Sequence, residues 1–383
     1  MVGMKKKSVG LGRLSLMISM LVQVLGAVGG GGVHPSKMRL VPAVYVLGDS
    51  TLDVGNNNHL PGKDVPRANK PYYGIDFPGS KPTGRFSNGF NAADYVAKNL
   101  GFDKSPPAYL VLKARNYLVP AALVMGVNYA SAGAGILDST NTGRSIPLSK
   151  QVVYLNSTRA EMVAKAGSGA VSDLLAKSFF LFGVGSNDMF AFAAAQQKLN
   201  RSATPSEVKA FYTSLISNYS AAITELYGMG ARKFGIINVG PVGCVPSVRV
   251  ANATGGCNDG MNQLAAGFDA ALRGHMSGLA ARLPGLAYSI ADSTEGEFAG
   301  GHPVGAVNIP YMYKTGSGLT KNTHFLEKVS TIFGKEDEII VGCQSGKRSL
   351  MAASELCSAG FTAVTDIAGG FSAWKENELP TNK

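Results

Sequence analysis

Three short motifs carry side chains that could together attack an ester. A serine hydroxyl at a strand-to-helix turn can act as a nucleophile. A glycine N–H and an asparagine amide nearby can stabilise the oxyanion that develops. Each motif follows a short apolar run, so we predict that Ser50, Gly133 and Asn187 converge at one point. The motifs are Gly48-Asp-Ser50, Ser131-Ala-Gly133 and Gly185-Ser-Asn187-Asp.

A second reactive group is predicted far along the chain, at Cys343. The β-branched run Ile339–Val341 precedes it, and a predicted helix over 350–359 follows. Backbone N–H groups, the positive helix end and two cations should favour its thiolate and hold an oxyanion such as thiosulfate. The predicted anion-binding loop consists of Gln344, Ser345, Gly346, Lys347 and Arg348. Cys357 is expected to be a small buried apolar residue.

The elements that must position the serine site alternate between strands and helices. Helical patterns such as 206–227 and 262–283 lie between apolar runs. This alternation predicts an α/β fold with a parallel sheet covered on both faces, and a site at the carboxyl ends of the strands. The expected strands are Ala43–Leu47, Val127–Ala130, Phe179–Val184, Phe234–Val239 and Leu286–Ile290.

Residues 43–292 resemble a plant-type GDSL esterase/lipase of the SGNH hydrolase family. The carrying motifs, besides those above, are Pro71-Tyr-Tyr-Gly-Ile-Asp-Phe77, Pro82-Thr-Gly-Arg-Phe-Ser-Asn-Gly89 and Asn238-Val-Gly-Pro-Val-Gly-Cys244. The resemblance implies a flavodoxin-like three-layer sandwich that acts on carboxylic ester or lipid substrates. It also implies that Ser50 is the nucleophile, and that its N–H, the Gly133 N–H and the Asn187 side chain form the oxyanion hole.

The sequence departs from that family at its Asp-x-x-His loop. None of the five histidines has Asp or Glu three residues earlier. A serine hydroxyl needs a base at neutral pH, so hydrolysis is expected to be impaired. His302 or His324 could substitute only if the fold brings one of them to Ser50.

Residues 293–383 resemble the single-domain plant rhodaneses, which are sulfurtransferases. The carrying motifs are Glu297-Phe-Ala-Gly-Gly-His302, Gly305-Ala-Val-Asn-Ile-Pro310, the loop from Cys343 to Ser349, and Gly369-Gly-Phe-Ser-Ala-Trp374. The resemblance implies a smaller α/β domain in which Cys343 forms a persulfide from thiosulfate and passes sulfur to a thiol or cyanide. The family's first strand would coincide with Leu286–Ile290, the expected fifth strand of the first region. One strand cannot belong to both sheets, so one of the two domains would lack it.

The amino terminus predicts export. Three lysines and an arginine precede an apolar run too short to span a bilayer comfortably, which favours a cleaved signal peptide over 1–28 rather than an anchor; residues 29–42 would form a linker. Oxidising conditions would favour a disulfide between Cys244 and Cys257. Four glycosylation sequons, all before the second region, agree with a secreted protein. They are at Asn156, Asn200, Asn218 and Asn252.

Composition narrows the remaining classes. The net charge is +11, but no segment joins basic residues with interleaved aromatics, so we expect no nucleic-acid partner. No Cys-x2-Cys or spaced His pair indicates a metal, and no dinucleotide fingerprint or Walker loop indicates a cofactor. Three hypotheses stay open: an ester hydrolase fused to a sulfurtransferase, activity of the sulfurtransferase half alone, or a fusion of two inactive fragments.

Overall fold

A computed structural model describes residues 39–253, 255–291, 302–303, 306–307, 309–315, 318–322, 325–343, 346–377, 379 and 381–382. The predicted signal peptide and most of the linker lie outside these residues, as do Gln344, Ser345 and His324. The described residues fall into two compact units, 39–291 and 302–382.

The first unit is built on a parallel sheet with the strand order β2-β1-β3-β4-β5. Its strands are β1 (Val44–Gly48), β2 (Gly126–Asn128), β3 (Phe179–Gly183), β4 (Lys233–Ile237) and β5 (Ala287–Ala291). This order is that of flavodoxin-like doubly wound sheets. Every residue of β1 and β3 is buried, which is typical of central parallel strands covered on both faces. The predicted α/β class and parallel sheet are confirmed.

Helices cover both faces of this sheet. Tyr45 and Leu47 face one apolar cluster, which receives the longest helices. Val44 and Val46 face the other, smaller cluster. This alternation follows from the period of two in a strand. The helices are α1 (Ala92–Asn99), α2 (Tyr109–Ala114), α3 (Leu118–Val124), α4 (Leu148–Ala166), α5 (Ser168–Lys177), α6 (Ser186–Lys198), α7 (Pro205–Met229), α8 (Pro246–Ala251) and α9 (Asp259–Arg282).

The disputed strand belongs to the first unit. β5 pairs in parallel with β4, from Lys233↔Ala287 to Ile237↔Ala291. Tyr288 and Ile290 pack against the larger apolar cluster of that unit. The hydrolase-like sheet therefore keeps all five of its predicted strands.

The second unit has a small core and three two-stranded pairings among its described residues. The strands are β6 (His302–Pro303), β7 (Met312–Thr315), β8 (Gly318–Lys321), β9 (Ile339–Val341), β10 (Val364–Asp366) and β11 (Thr381–Asn382), and the helices are α10 (Phe325–Ser330), α11 (Lys347–Ser358) and α12 (Gly370–Glu376). β9 and β10 are parallel. Phe325, Val329, Ile339, Ala352, Leu356 and Phe361 form the core.

The expectation that Cys357 is buried was wrong, because its side chain is exposed. The buried positions of α11 are Ser349, Ala352, Ala353 and Leu356, which follow helical spacing. Cys357 is one position beyond Leu356 and is therefore rotated by about 100° onto the outer face.

None of the helices in the described part of the chain combines the length and apolar character that a membrane crossing requires. Among the same residues, no three His, Cys, Asp or Glu side chains gather as metal ligands would.

Candidate active site

Ser50 lies just beyond the carboxyl end of the central strand β1. Hydrogen bonds continue past the strand on both sides, because the Ser131 N–H donates to the Gly48 carbonyl at 2.9 Å and the Asp49 N–H donates to the Gly183 carbonyl at 3.0 Å. A side chain at Gly48 would overlap the backbone of Gly183 and lie 2.8 Å from Leu52. Ser50 is half-buried, so the residue keeps some exposure to solvent next to a backbone that is held by the sheet.

The turn that carries Ser50 is closed by its neighbours. Asp49 Oδ1 accepts from the Thr51 N–H at 2.9 Å and from the Thr51 hydroxyl at 2.8 Å. Burial raises the pKa of Asp49 to about 6, against the opposing effect of the Thr51 hydrogen bonds. The Leu52 and Asp53 N–H groups both donate to the Asp49 carbonyl. The turn that carries Ser50 is therefore held by hydrogen bonds among its own residues.

Asp53 joins this turn to the loop that carries Gly133. Its carboxylate accepts from the Gly55 N–H at 2.7 Å, the Asn56 N–H at 2.8 Å and the Ala132 N–H at 3.1 Å. The side chain is fully buried, and burial raises its pKa to about 6 despite these bonds. The residue next to Gly133 is thus held by the residue three positions after Ser50.

Two asparagines fasten the same pair of loops. Asn56 Nδ2 donates to the carbonyls of Asn128 and Ala130 at 2.9 and 2.8 Å. Asn57 Nδ2 donates to the Ala132 carbonyl at 2.8 Å, and Asn57 Oδ1 accepts from the Ser131 hydroxyl at 2.5 Å. Both asparagines are fully buried. Their amides are the partners of backbone groups that leave the sheet after β2.

The third loop is tied to the second. Gly133 adopts a φ of 86°, a left-handed conformation that glycine tolerates best. Asn187 Nδ2 donates to the Ala134 carbonyl at 2.9 Å, and an amide nitrogen carries a second hydrogen that can serve an oxyanion. Asp188 accepts from the Ile136 N–H at 2.8 Å, and burial raises the pKa of its carboxyl. The three predicted loops are therefore joined at one edge of the sheet.

None of the histidines in the described part of the chain has an aspartate three residues earlier, as an Asp-x-x-His loop requires. His59 is exposed in the short 3-10 turn over 57–59. His275 lies on α9 six residues beyond Asp269, whose carboxylate accepts from the Val239 N–H near the site edge. At about 1.5 Å per residue, the helix carries His275 away from that edge. Burial lowers the pKa of His275. His302 belongs to strand β6 of the second unit.

Arg85 supports the loop after Ser50 from outside. Its Nε and Nη2 donate to Oδ2 and Oδ1 of Asp94, both at 2.7 Å. Asp94 belongs to a capping box with Asn91, whose Nδ2 donates to the Asp53 carbonyl at 2.9 Å. Asn88 donates to Asp76 within the neighbouring loop. Arg85 therefore acts on Asp53 through two intermediate side chains.

Sequence inspection missed Gln151, which is fully buried in the first turn of α4. Its Oε1 accepts from the Gly48 N–H at 2.8 Å, and its Nε2 donates to the Gly48 carbonyl at 2.9 Å. The available signal was its position, because Leu148, Gln151, Val152 and Leu155 mark the buried face of the helix. An amide on an apolar face must find polar partners there.

Cys343 of the second unit is contacted by the backbone of two helices. The Phe371 N–H, at the start of α12, donates to the Cys343 carbonyl at 2.7 Å. The Ser349 N–H points at Cys343 Sγ from 3.4 Å. Gly346 starts α11 with a φ of 89°, which explains why the helix begins at Lys347 rather than at the predicted Leu350. Lys347 is exposed and Arg348 is half-buried.

The predicted export features have the following positions. Cys244 and Cys257 form a disulfide with a Cα–Cα distance of 4.4 Å. Asn156, Asn200 and Asn218 are exposed, whereas Asn252 is half-buried and donates to the Gly256 carbonyl at 3.1 Å.

Comparisons with known proteins agree with the first unit. GDSL esterase/lipase At5g55050 of Arabidopsis thaliana is 39% identical over 264 residues, which cover 67% of this chain and 68% of that protein. GDSL esterase/lipase At5g37690 of the same plant is 36% identical over 256 residues, covering 65% of this chain and 68% of the relative.

A short stretch is also similar to the solution structure of At5g66040, a protein of Arabidopsis thaliana. It is 58% identical and covers 24% of this chain and 76% of that one, with a TM-score of 0.16. The family model for GDSL-like lipase/acylhydrolase matches residues 44–336, which include the whole five-stranded sheet. The chain therefore belongs to the GDSL-like lipase/acylhydrolase family.

Proposed function

We propose that the first unit is a serine ester hydrolase in which Ser50 is the nucleophile and the catalytic histidine is missing. The observation that carries the proposal is the joining of three loops at the carboxyl edge of the sheet. Ser50 follows β1, and the Ala132 N–H beside Gly133 and the Ala134 carbonyl beside Asn187 are held by hydrogen bonds. Family membership supports the ester or lipid substrate class.

The reaction would proceed through an acyl-enzyme. Ser50 Oγ attacks the ester carbonyl carbon and its proton passes to a solvent base. The carbon–oxygen bond to the alkoxide then breaks, and the alkoxide takes a proton from solvent and leaves as the alcohol. Donors at the Ser50 N–H, Gly133 N–H and Asn187 amide would stabilise the oxyanion. Water then attacks the acyl group and releases the carboxylic acid. Neither acylation nor deacylation has a positioned histidine among the described residues of the first unit, and loss of a triad histidine lowers turnover by about a millionfold.

An activated ester makes deacylation the slow step. Nitrophenolate leaves during acylation without being protonated, whereas the serine oxygen that leaves during deacylation needs a proton. We expect the full-length protein to accumulate an acetyl group on Ser50 when incubated with 4-nitrophenyl acetate. Intact-mass and peptide mass spectrometry would locate it. The adduct disappears in Ser50→Ala, and N187A lowers its rate of formation by about 10²–10³-fold.

Ser157→Ala is the matched control, since Ser157 is an exposed serine of α4 that bonds only to its own helix. It should acylate like the wild type. A wild-type protein with no adduct on Ser50, in folded and soluble form, would refute the proposal.

A second candidate function is sulfur transfer by Cys343. The observation that favours it is the geometry of its loop, in which the Ser349 N–H points at Sγ at the start of α11. A thiolate there would attack the outer sulfur of thiosulfate, break its S–S bond, release sulfite and become a persulfide. Cyanide or a thiol would then take the outer sulfur and regenerate the thiolate.

Thiocyanate formation from thiosulfate and cyanide tests this candidate. We expect activity that is lost in Cys343→Ser and retained in Cys357→Ser, because Cys357 is exposed on α11, the helix that follows the Cys343 loop. Equal activity in the Cys343→Ser variant and the wild type would refute it. Absence of both the acyl adduct and thiocyanate formation would leave the hypothesis of two inactive fragments.

We also propose that the protein is exported and glycosylated. The exposed side chains of Asn156, Asn200 and Asn218 and the Cys244–Cys257 disulfide support this proposal. A mass decrease on treatment of plant-expressed protein with a peptide N-glycosidase is expected. An unchanged mass would contradict it.

A further inference from the structure

The Gln151 side chain has no freedom to turn within the first unit. Its two amide hydrogens go to the carbonyls of Gly48 and Ile146 at 2.9 and 2.8 Å, and its oxygen accepts from the Gly48 N–H at 2.8 Å. A flipped amide would set two hydrogens against one N–H and one oxygen against two carbonyls. The orientation of a fully buried group is thereby fixed.

Gln151 replaces a missing strand residue beside β1. The pairing of β1 with β2 ends at Val46↔Asn128, and the Tyr129 N–H donates to the Val46 carbonyl at 2.8 Å. In a parallel ladder the N–H and carbonyl of Gly48 face that same neighbour. The segment that follows β2 supplies only the Ser131 N–H, which donates to the Gly48 carbonyl at 2.9 Å. The amide of Gln151 satisfies both groups of Gly48 where the strand has departed.

The same amide closes a ring of hydrogen bonds that includes both loops of the site. Gln151 holds Ile146, the Ile146 N–H donates to Ser131 Oγ at 2.9 Å, and the Ser131 N–H returns to the Gly48 carbonyl. Gly48 is two residues before Ser50, and Ser131 is two residues before Gly133. The ring therefore sets the separation of the nucleophile and one oxyanion donor.

We infer that Gln151 is a positioning residue for acylation, which holds the Ser50 turn in register with the Gly133 loop through Gly48, Ile146 and Ser131. This inference rests on the proposed role of Ser50. Displacement of a reacting group by about 1 Å can lower a rate by about 10²-fold. The fully buried Gln151 side chain would not contact the ester. Its loss should therefore change the rate of the chemical step and not the binding of the ester.

The test is the rate of Ser50 acylation by 4-nitrophenyl acetate, measured across ester concentrations. Gln151→Met keeps the volume but removes all three hydrogen bonds. We expect its limiting acylation rate constant to fall about 10²-fold, with the half-saturating ester concentration within about twofold of the wild type. A role in folding alone would lower the acylated fraction and leave the rate constant of that fraction unchanged.

Gln197→Met is the matched control, because Gln197 is exposed on α6, and it should acylate like the wild type. If Gln151→Met does not fold, Ser131→Ala and Gln151→Glu interrupt the same ring and decide the question by the same rate constant. If the wild type is acylated and a folded variant at Gln151 or Ser131 has the same acylation rate constant, this inference is wrong and the proposed function still stands. Absence of any wild-type adduct overturns the proposed function and this inference with it.

Discussion

Arg85 and Asp94 form a bidentate ion pair that is almost completely removed from water, with side-chain exposures of 7% and 0%. Both donor–acceptor distances are 2.7 Å. Asp94 also accepts from the Asn91 and Ser105 N–H groups at 3.0 Å each. The carboxylate is therefore fully coordinated, and removal of the guanidinium would leave it as an uncompensated buried charge.

We predict that Arg85→Met lowers the free energy of unfolding of the first unit by about 3–5 kcal/mol. The double variant Arg85→Met/Asp94→Asn should recover part of this loss, because the remaining group is neutral. Urea unfolding followed by far-ultraviolet circular dichroism measures both. Lys177→Met is the control, since its partner Asp173 is 76% exposed and such pairs contribute at most about 1 kcal/mol. Equal losses of unfolding free energy in Arg85→Met and Lys177→Met would contradict the prediction.

A pH dependence follows from Asp49, whose folded pKa of about 6 lies above its ordinary value of 3.8. Between these values the unfolded carboxyl has lost its proton and the folded one retains it, so stability falls as pH rises from about 4 to about 6. Asp49→Asn removes this titration and keeps an acceptor for Thr51. The wild type should lose on the order of 1–3 kcal/mol relative to this variant over that range.

The measurement is urea unfolding of both proteins at several pH values, compared as a difference so that other carboxylates cancel. A difference that stays constant from pH 4 to 6 would show that Asp49 titrates as it does in water.

The Cys244–Cys257 disulfide closes a loop with a sequence separation of 13. A loop of this size is expected to contribute about 3 kcal/mol by restricting the unfolded chain. We predict a lower thermal midpoint for Cys244→Ser/Cys257→Ser and for the reduced wild type. Reductant should not change the midpoint of the double variant. Equal midpoints of the wild type with and without reductant would exclude a stabilising disulfide.

Alanine substitutions at two glycines of the second unit allow the cost of backbone strain to be distinguished from the cost of steric overlap. Gly346 and Gly360 have φ values of 89° and 86°, so alanine should cost about 1–2 kcal/mol at either position. A methyl group at Gly346 would also lie 3.0 Å from the Gly369 nitrogen, whereas Gly360 faces open space. We predict that Gly346→Ala destabilises this unit more than Gly360→Ala does.

Trp374, the single tryptophan, reports on the second unit by fluorescence during urea unfolding. Equal effects of the two alanines would contradict the prediction, because they would mean that the Gly369 backbone moves away from the added methyl group at no cost.

The sequence predicted the sheet well because buried parallel strands are short continuous apolar runs. Each of the five strands begins and ends within two residues of its expected range. Side-chain hydrogen bonds across long sequence separations were not predictable in the same way. Gln151 and Gly48 are 103 positions apart, and only the fold reveals that the amide lies where a strand has ended.

Errors arose where local pattern and tertiary packing disagree. Cys357 was expected in the core as a small apolar residue, but the rotation of α11 turns it outward. The start of the same helix was expected three residues late, because the left-handed Gly346 that begins it is not visible from hydrophobic spacing. The conflict over Leu286–Ile290 needed the β4 partner to decide it.

We propose that Ser50 lacks only its base, and addition of imidazole to the full-length protein tests this proposal most directly. The steady-state rate of ester hydrolysis by the wild type, minus that of Ser50→Ala at each concentration, should be small without imidazole and should rise with its concentration. Rapid Ser50-dependent turnover at neutral pH without added imidazole, or a rate that imidazole does not change, would contradict the claim.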